Sequence, residues 1–378
     1  MCDTVSTQNG DGVTLNSKSY KGIVDALKKD ILGGKYTSSH AFPSVGMLVR
    51  KFGVARGTVH HAFDELAHQG LISRKQGRGT FVSNNATSRK IGLIVPGVAV
   101  TDFYGPIIRE INEQAHATGY TLHFKEIFSA DRQERIRQVR ELVAEFVKKR
   151  VAGVIFEPLA GPTGTEANEH ILRVLDRAKT PVVLLDCDIV PFPERSGHDV
   201  VGTNDVEAGV RMMKYLLSIG ARKIHFVMGM SSPATFDNRL YGAMSAIREW
   251  GGKCKTEVLR CDPSDAKAIK RHLQRKGRPD VFVCSNDLIA AMFKQTLDAL
   301  DLAVPKDVML VGFADLPIAS LMTPKLTTIR QSREQMGQMA FKRLLERIEN
   351  PGLPPTEILF PAPLIEREST MKKVKKSR

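Results

Sequence analysis

Val54-Ala55-Arg56-Gly57-Thr58-Val59-His60-His61-Ala62-Phe63, inside the longer stretch Pro43–Val82, decides how this chain is read. Set on a helix at about 100° per residue, Val59, Ala62, Phe63 and Leu66 share one stripe, and Arg56, His60, His61 and Asp64 fall opposite. One face packs and the other reaches outward. Upstream, Val45, Leu48, Val49 and Phe52 make a second apolar stripe, ended by Gly53 in a helix-stop position. Two helices around a short glycine turn, the later one polar and basic on its outer face, predict a helix-turn-helix. Leu71-Ile72-Ser73-Arg74 and Thr80-Phe81-Val82 flank Lys75-Gln76-Gly77-Arg78-Gly79, a two-strand hairpin with a basic tip that reads as a wing. Tyr20, Ile23, Val24, Leu27 and Ile31, stopped by Gly33-Gly34, supply the first helix. The plainer alternative is a three-helix cap whose charges are merely solvated. The ordered succession of helix, turn, helix and basic hairpin argues against it.

Pro43-Ser44, Gly53-Val54-Ala55-Arg56, Thr58-Val59, Gly70-Leu71 and Gly77-Arg78-Gly79-Thr80-Phe81-Val82 resemble the winged-helix domain of GntR-type regulators. The family pattern also carries Glu-Arg after Pro-Ser and an Arg after Thr-Val, where this chain has Val45-Gly46 and His60. The resemblance implies double-stranded operator DNA as partner. It implies Ser44, Arg56, Thr58, His60, His61, Lys75 and Arg78 as the contact residues, with Arg56 and His60 in the major groove and Arg78 at or near the minor groove. His60 becomes a replacement contact, and the departures imply an unusual operator.

The charge distribution agrees. The chain has 378 residues and a net charge of +14, enough length for one small and one large domain. Residues 1–90 carry an excess of seven positive charges and the seven residues 372–378 carry five, which leaves residues 91–371 close to neutral at +2. Positive charge sits where phosphates must be neutralised. The basic tail, 371–378, reads as a solvated end more readily than as a second DNA contact. Cys2, Cys187, Cys254, Cys261 and Cys284 show no metal-ligand spacing and read as reduced thiols. The polar leader, 1–17, lacks the apolar core of a signal peptide, and no run reaches the roughly 18 apolar residues of a membrane helix. These features predict a cytoplasmic protein with no membrane partner, no cofactor and no metal.

Domains are expected at 18–82 for the winged helix, 83–89 for a polar linker, and 90–370 for a larger domain. From Ile91 onward short apolar runs alternate with amphipathic helices. Strand candidates are Ile91–Val95, Tyr120–Phe124, Gly153–Phe156, Val182–Leu185, Val200–Thr203, Lys223–Val227, Thr256–Arg260, Val281–Cys284, Val308–Val311 and Leu326–Ile329. Such alternation predicts an α/β fold with parallel sheets covered on both faces. Ten strands are too many for one small sheet, so two linked lobes follow. They are drawn at about 90–198 with 332–356, and 199–331 with 357–370.

Ligands in such sheets lie beyond the carboxyl ends of the strands. The polar groups there are Asp102-Phe103-Tyr104, Glu157, Asp186-Cys187-Asp188, Arg239, Asn286-Asp287 and Gln331. Each alone could be a helix cap, and Asp205 and Asp287, which open helices, are read that way. Together, an aromatic pair, carboxylates, an Arg and amides are what a polyhydroxy ligand requires.

Val201-Gly202-Thr203-Asn204-Asp205, Cys284-Ser285-Asn286-Asp287, Val311-Gly312-Phe313-Ala314-Asp315, Leu326-Thr327-Thr328-Ile329-Arg330-Gln331 and Leu364-Ile365-Glu366-Arg367-Glu368-Ser369-Thr370 resemble LacI-type regulators and periplasmic sugar-binding proteins. The resemblance implies a two-lobed type I periplasmic-binding-protein-like domain with three crossings and an effector between the lobes that is a sugar or sugar derivative. One head reads only a few base pairs, so a homodimer on a pseudo-palindromic site is expected. Phe103 and Tyr104 would stack on that effector, and Asp186, Arg239, Asn286 and Gln331 would hydrogen-bond its hydroxyls; Glu157 joins them by its place at a strand end. Ala314 stands where the family often has an Asp after Gly-Phe, and Cys187 stands where an Arg would follow Asp186, which implies a less polar pocket than a free-sugar site. The combination predicts a repressor-type transcriptional regulator. The alternative is a GntR-type head on a pyridoxal-phosphate enzyme, which needs a placed Lys that no motif supplies. Gly-x-x-x-x-Gly-Lys-Ser/Thr, His-Glu-x-x-His and Gly-x-Ser-x-Gly are missing, and His116, His123, His170 and His225 are scattered.

Overall fold

A computed structural model describes residues 19–32, 35–36, 42–68, 71–75, 79–82, 90–95, 102–127, 129, 131–229, 234–251 and 254–371. The leader, the linker 83–89, Arg78 at the wing tip and the basic tail from Lys372 lie outside these residues. Two compact units divide the chain, residues 1–89 with 346–353 and residues 90–345 with 354–378.

In the first unit, α1 (Tyr20–Leu32), α2 (Val45–Phe52) and α3 (Arg56–His68) precede strands β1 (Ile72–Lys75) and β2 (Gly79–Val82). Ser44 starts α2 by accepting the Met47 N–H on its hydroxyl at 3.3 Å, as N-cap serines do. Gly53 ends it at φ 65°, with its N–H on the Val49 carbonyl. That left-handed conformation is where glycine avoids the Cβ penalty, and it turns the chain into α3. The stripe of Val59, Ala62, Phe63 and Leu66 is buried, packed with Ile23, Leu27, Ile31, Phe42 and Leu48. Each of the larger side chains among them contributes about 1.5–3 kcal/mol by leaving water. The wing strands are antiparallel, Ile72 opposite Val82 and Lys75 opposite Gly79, and the Phe42 N–H donates to the Thr80 carbonyl at 2.8 Å.

The second unit has two lobes. All ten expected strands form: β3 (Lys90–Ile94), β4 (Thr121–Phe124), β5 (Gly153–Phe156), β6 (Val182–Asp186), β7 (Asp199–Thr203), β8 (Lys223–Met228), β9 (Lys255–Arg260), β10 (Val281–Cys284), β11 (Met309–Val311) and β12 (Thr328–Ile329). Among the described residues there are two more, β13 (Glu357–Phe360) and β14 (Leu364–Ile365). The first lobe holds a parallel sheet in the order β13-β7-β6-β5-β3-β4, the second one in the order β11-β10-β8-β9, with β12 and β14 paired antiparallel beside it. The strands β5, β6 and β7 are buried throughout, which explains their unbroken apolar runs.

The lobe boundary needs a correction. Residues 199–203 and 357–360, placed in the second lobe from the sequence, are strands of the first lobe's sheet. β7 is hydrogen-bonded on one side to β6 and on the other to β13, so it cannot leave that sheet. The three crossings between lobes therefore fall after Thr203, near Gln331 and after Phe360. The helices that follow or precede them are α7 (Asp205–Ser218), packed on α8 (Ala234–Glu249) in the second lobe, and α12 (Arg333–Glu349). In the first lobe the remaining helices are α4 (Tyr104–Ala117), α5 (Arg132–Lys149) and α6 (Pro162–Arg177). The second has α9 (Ala266–Lys276), α10 (Asp287–Ala299) and the short α11 (Pro317–Leu321).

Candidate functional site

The head presents one polar face. Arg56, His60 and His61 are exposed along α3, and Thr58 is half-buried beside them. Because Ala62, Phe63 and Leu66 hold the opposite face in the core, this face is fixed outward. Asp64, on the same side, is held by Arg74 of β1 at 3.0 Å, so its negative charge is offset. His61 sits over Tyr20 of α1, ring centroids 6.1 Å apart. Ser44 combines an exposed position with its capping bond. Lys75 closes β1.

The second site lies where the carboxyl ends of β5, β6, β7, β10 and β11 approach one another across the lobes. In the first lobe, Phe103 and Tyr104 open α4 edge to face, with ring centroids 4.9 Å apart. The Tyr104 hydroxyl donates to Glu157 Oε1. Glu157 Oε2 and Asp186 Oδ1 are buried and have no hydrogen-bond partner among the described residues. Burial pushes the Glu157 carboxyl well above its usual range, against the Tyr104 bond, and Asp186 adds to it. Burial also raises Asp186, opposed by the positive charge of Arg239. Asp186 adopts φ +71°, a left-handed conformation that costs a non-glycine residue energy and clusters at functional sites.

In the second lobe Arg239 is the hub. Its Nε donates to Asp205 Oδ1 at 2.7 Å and its Nη1 to the Ser285 carbonyl at 2.9 Å, and its guanidinium lies 3.4 Å from the centre of the Phe313 ring. Two glycines set this up. A Cβ on Gly209 of α7 would lie 2.0 Å from the Arg239 carbonyl, and one on Gly242 of α8 would lie 2.0 Å from the Val206 carbonyl. Only hydrogens at both positions let the helices cross closely enough to bring Asp205 and Arg239 together. Burial raises the Asp205 carboxyl to about 7 even with Arg239 pulling it down and Asp186 pushing it up.

Asp205 was read from the sequence as a helix cap. The cap of α7 is instead Asn204, whose side chain accepts the Glu207 N–H at 3.1 Å, which frees Asp205 for Arg239. The same shift occurs at α10: Asn286 is the cap, accepting the Ile289 N–H at 2.8 Å. Asp287, fully buried, takes the Thr328 hydroxyl at 2.6 Å and the Leu316 N–H at 2.7 Å. Asn286 thus holds a helix end with its side-chain oxygen. Gln331 is buried at the second crossing, where its amide donates to Thr203 Oγ1 at 2.8 Å, tying two of the interlobe segments to each other. Phe313 went unassigned in the sequence; the apolar residue within Val311-Gly312-Phe313-Ala314 was its only signal. Beside Asp186 and Asp205, a cavity of about 290 Å³ opens, lined also by Asp188, Thr203, Asn204 and Asn238. No group of three His, Cys, Asp or Glu side chains among the described residues is arranged to hold a metal ion, and no helix among them is long and apolar enough to cross a membrane.

Comparison with known proteins gives both parts a counterpart. Residues 19–82 match the gntR family of bacterial regulatory proteins, and residues 213–370 match the periplasmic binding protein-like domain. The chain is 27% identical over 361 residues to the arabinose metabolism transcriptional repressor of Geobacillus stearothermophilus, covering 91% of this chain and 96% of that protein. It is 28% identical over 289 residues to the HTH-type transcriptional repressor PurR of Proteus mirabilis, covering 75% and 80%. Its fold is shared with the transcription regulator CcpA of Lactococcus lactis (TM-score 0.63, 21% identity, 75% of this chain and 100% of that one). It is shared also with a LacI family transcriptional regulator of Enterococcus faecium with bound ribose (TM-score 0.60, 23% identity, 74% and 98%).

Proposed function

We infer that this chain, a gntR-family head joined to a periplasmic-binding-protein-like domain, is a transcriptional repressor whose hold on operator DNA is set by a small effector. The observation that carries the reading is the outward face of α3, with Arg56, His60 and His61 exposed beside an offset Asp64. A helix of this kind reads base edges in the major groove, while basic groups around it neutralise phosphates. One head covers only a few base pairs, so the protein acts as a homodimer on a pseudo-palindromic site, with the larger domain supplying the interface. It works in the cytoplasm, where that DNA is.

The effector is a sugar or sugar derivative lying between the lobes. Tyr104 and Phe103 offer an aromatic wall, and Glu157, Asp186 and Arg239 offer acceptors and a donor for hydroxyls. Ribose in the Enterococcus faecium regulator of the same fold supports this class. Closure would move Arg239 and Asp186 together and re-space the two heads of the dimer. Coupling of this sort amounts to about 1–3 kcal/mol, equal in both directions. The enzyme alternative has no support in the relatives, which are regulators. Gel retardation of DNA flanking the protein's own gene tests the reading. Retardation at fixed salt that a sugar relieves or strengthens bears it out, and failure to retard any such fragment overturns it.

A further inference from the structure

Two buried carboxyl oxygens at the cleft lack a donor among the described residues, and that narrows the ligand. Arg239 is committed to Asp205 and to the Ser285 carbonyl. Arg195, on the wall of the adjoining cavity, is committed to Glu357. Asp188 turns its two oxygens to the backbone N–H groups of Ile189, Val190 and Ser196. Among the described residues two buried carboxyl oxygens have no partner: Asp186 Oδ1, on a side chain only 9% exposed that lines the cavity, and Glu157 Oε2. Neither has a hydrogen-bond donor among the described residues. They belong to neighbouring strand ends, β5 and β6, whose central residues pair directly, so each also feels the other's charge. A neutral hydroxyl could donate to either oxygen but would bring no charge to hold the two carboxyls ionised against burial. A phosphate or carboxylate would worsen the repulsion. A positively charged donor placed between them would satisfy both oxygens at once, and buried hydrogen bonds to charged groups are about twice as strong as neutral ones.

We propose that the effector is an amine-bearing sugar, or a polyol of similar size, whose ammonium group is held by Asp186 Oδ1 and Glu157 Oε2. This rests on the effector reading of the cleft given above and specifies its chemistry. The Tyr104–Glu157 bond fixes one carboxylate plane, and the Asp186 backbone, held at φ +71°, aims the other. Arg239 stays available to a ring hydroxyl through the guanidinium nitrogens that it does not use on Asp205 and Ser285.

Calorimetric titration of the full-length protein with matched pairs tests this: glucosamine against glucose, galactosamine against galactose, mannosamine against mannose, with gluconate and glucose 6-phosphate as anionic controls. At least one amine should bind roughly ten- to a hundredfold more tightly than its parent sugar, and the anionic sugars should not bind. Asp186→Asn should abolish that preference; Glu157→Gln, which keeps an acceptor for Tyr104, serves the same purpose should the first variant fail to fold. Parent sugars binding as tightly as their amines would overturn the ammonium assignment and leave the sugar effector standing. Preference for gluconate or the phosphate would overturn it as well. No binding by any member of the panel would overturn both.

Discussion

Replacing Arg239 by Ala should destabilise the second lobe in a pH-dependent way. The side chain is 13% exposed and the carboxylate that it neutralises, Asp205, is 3% exposed. Removing one partner of a buried ion pair costs about 3–5 kcal/mol, because the other charge is left in a poorly polarisable surrounding. Asp205 has an escape, which is to take up a proton. Its carboxyl already sits at about 7 when folded, against roughly 3.9 in an unfolded chain. A folded value above the unfolded one means that its contribution to stability is fully present below about 4 and is lost as pH rises toward 7. Without Arg239 the folded value climbs further, so the loss continues past 7. At pH 6, where Asp205 is largely neutral in both proteins, the deficit is mainly the orphaned Ser285 carbonyl, about 1–3 kcal/mol. At pH 8 it should approach the full 3–5 kcal/mol. Trp250 is the chain's one tryptophan, directly after α8 and 5.7 Å from the Arg222 guanidinium. Urea unfolding followed by its fluorescence therefore reports the lobe concerned. A combined Arg239→Met and Asp205→Asn variant should recover most of the loss at pH 8. A deficit below about 1 kcal/mol that is the same at both pH values would show that Asp205 does not depend on Arg239 for its charge.

Other substitutions probe the remaining steps. Gly209→Ala places a methyl 2.0 Å from the Arg239 carbonyl, so the helices must part; a loss of about 1–3 kcal/mol or more, read by the same unfolding curve, is expected, and an unchanged midpoint would contradict the close crossing. Phe63→Ala empties the centre of the head's core and should cost about 3–5 kcal/mol, visible as a separate early loss of helical circular dichroism. Arg56→Ala should weaken operator binding by about 1–3 kcal/mol at fixed salt with folding intact; equal affinity would remove α3 from the groove.

Much of this was legible in the residues. The stripes of α2 and α3 announce themselves because a head of this size must bury one face of each helix, and Gly53 marks the turn because glycine takes the left-handed conformation without a Cβ penalty. The ten strands were legible because strands buried on both faces read as unbroken apolar runs, as in Val182-Val183-Leu184-Leu185. Glu357-Ile358-Leu359-Phe360 was missed because an edge strand is half exposed and short, and its partner β7 lies more than 150 residues earlier. That omission put the lobe boundary too early. At the site, Phe103, Tyr104, Glu157 and Asp186 could be placed from strand and helix ends alone. The pairing of Asp205 with Arg239 could not, since it depends on two helices meeting through Gly209 and Gly242. The competition between adjacent Asn and Asp for a cap was decidable in principle. Asn204 and Asn286 precede Asp205 and Asp287, and the earlier residue takes the N–H groups.

Effector control of a repressor requires the outward recognition helix to be coupled to the two-lobed sensor. Operator affinity of the full-length protein, measured by fluorescence anisotropy at fixed salt with and without a saturating sugar found by titration, tests that coupling directly. The prediction is a change of about 5- to 150-fold, matched by the same factor in the sugar's affinity when operator DNA is present. A sugar that binds in the cleft and leaves operator affinity unaltered would contradict it.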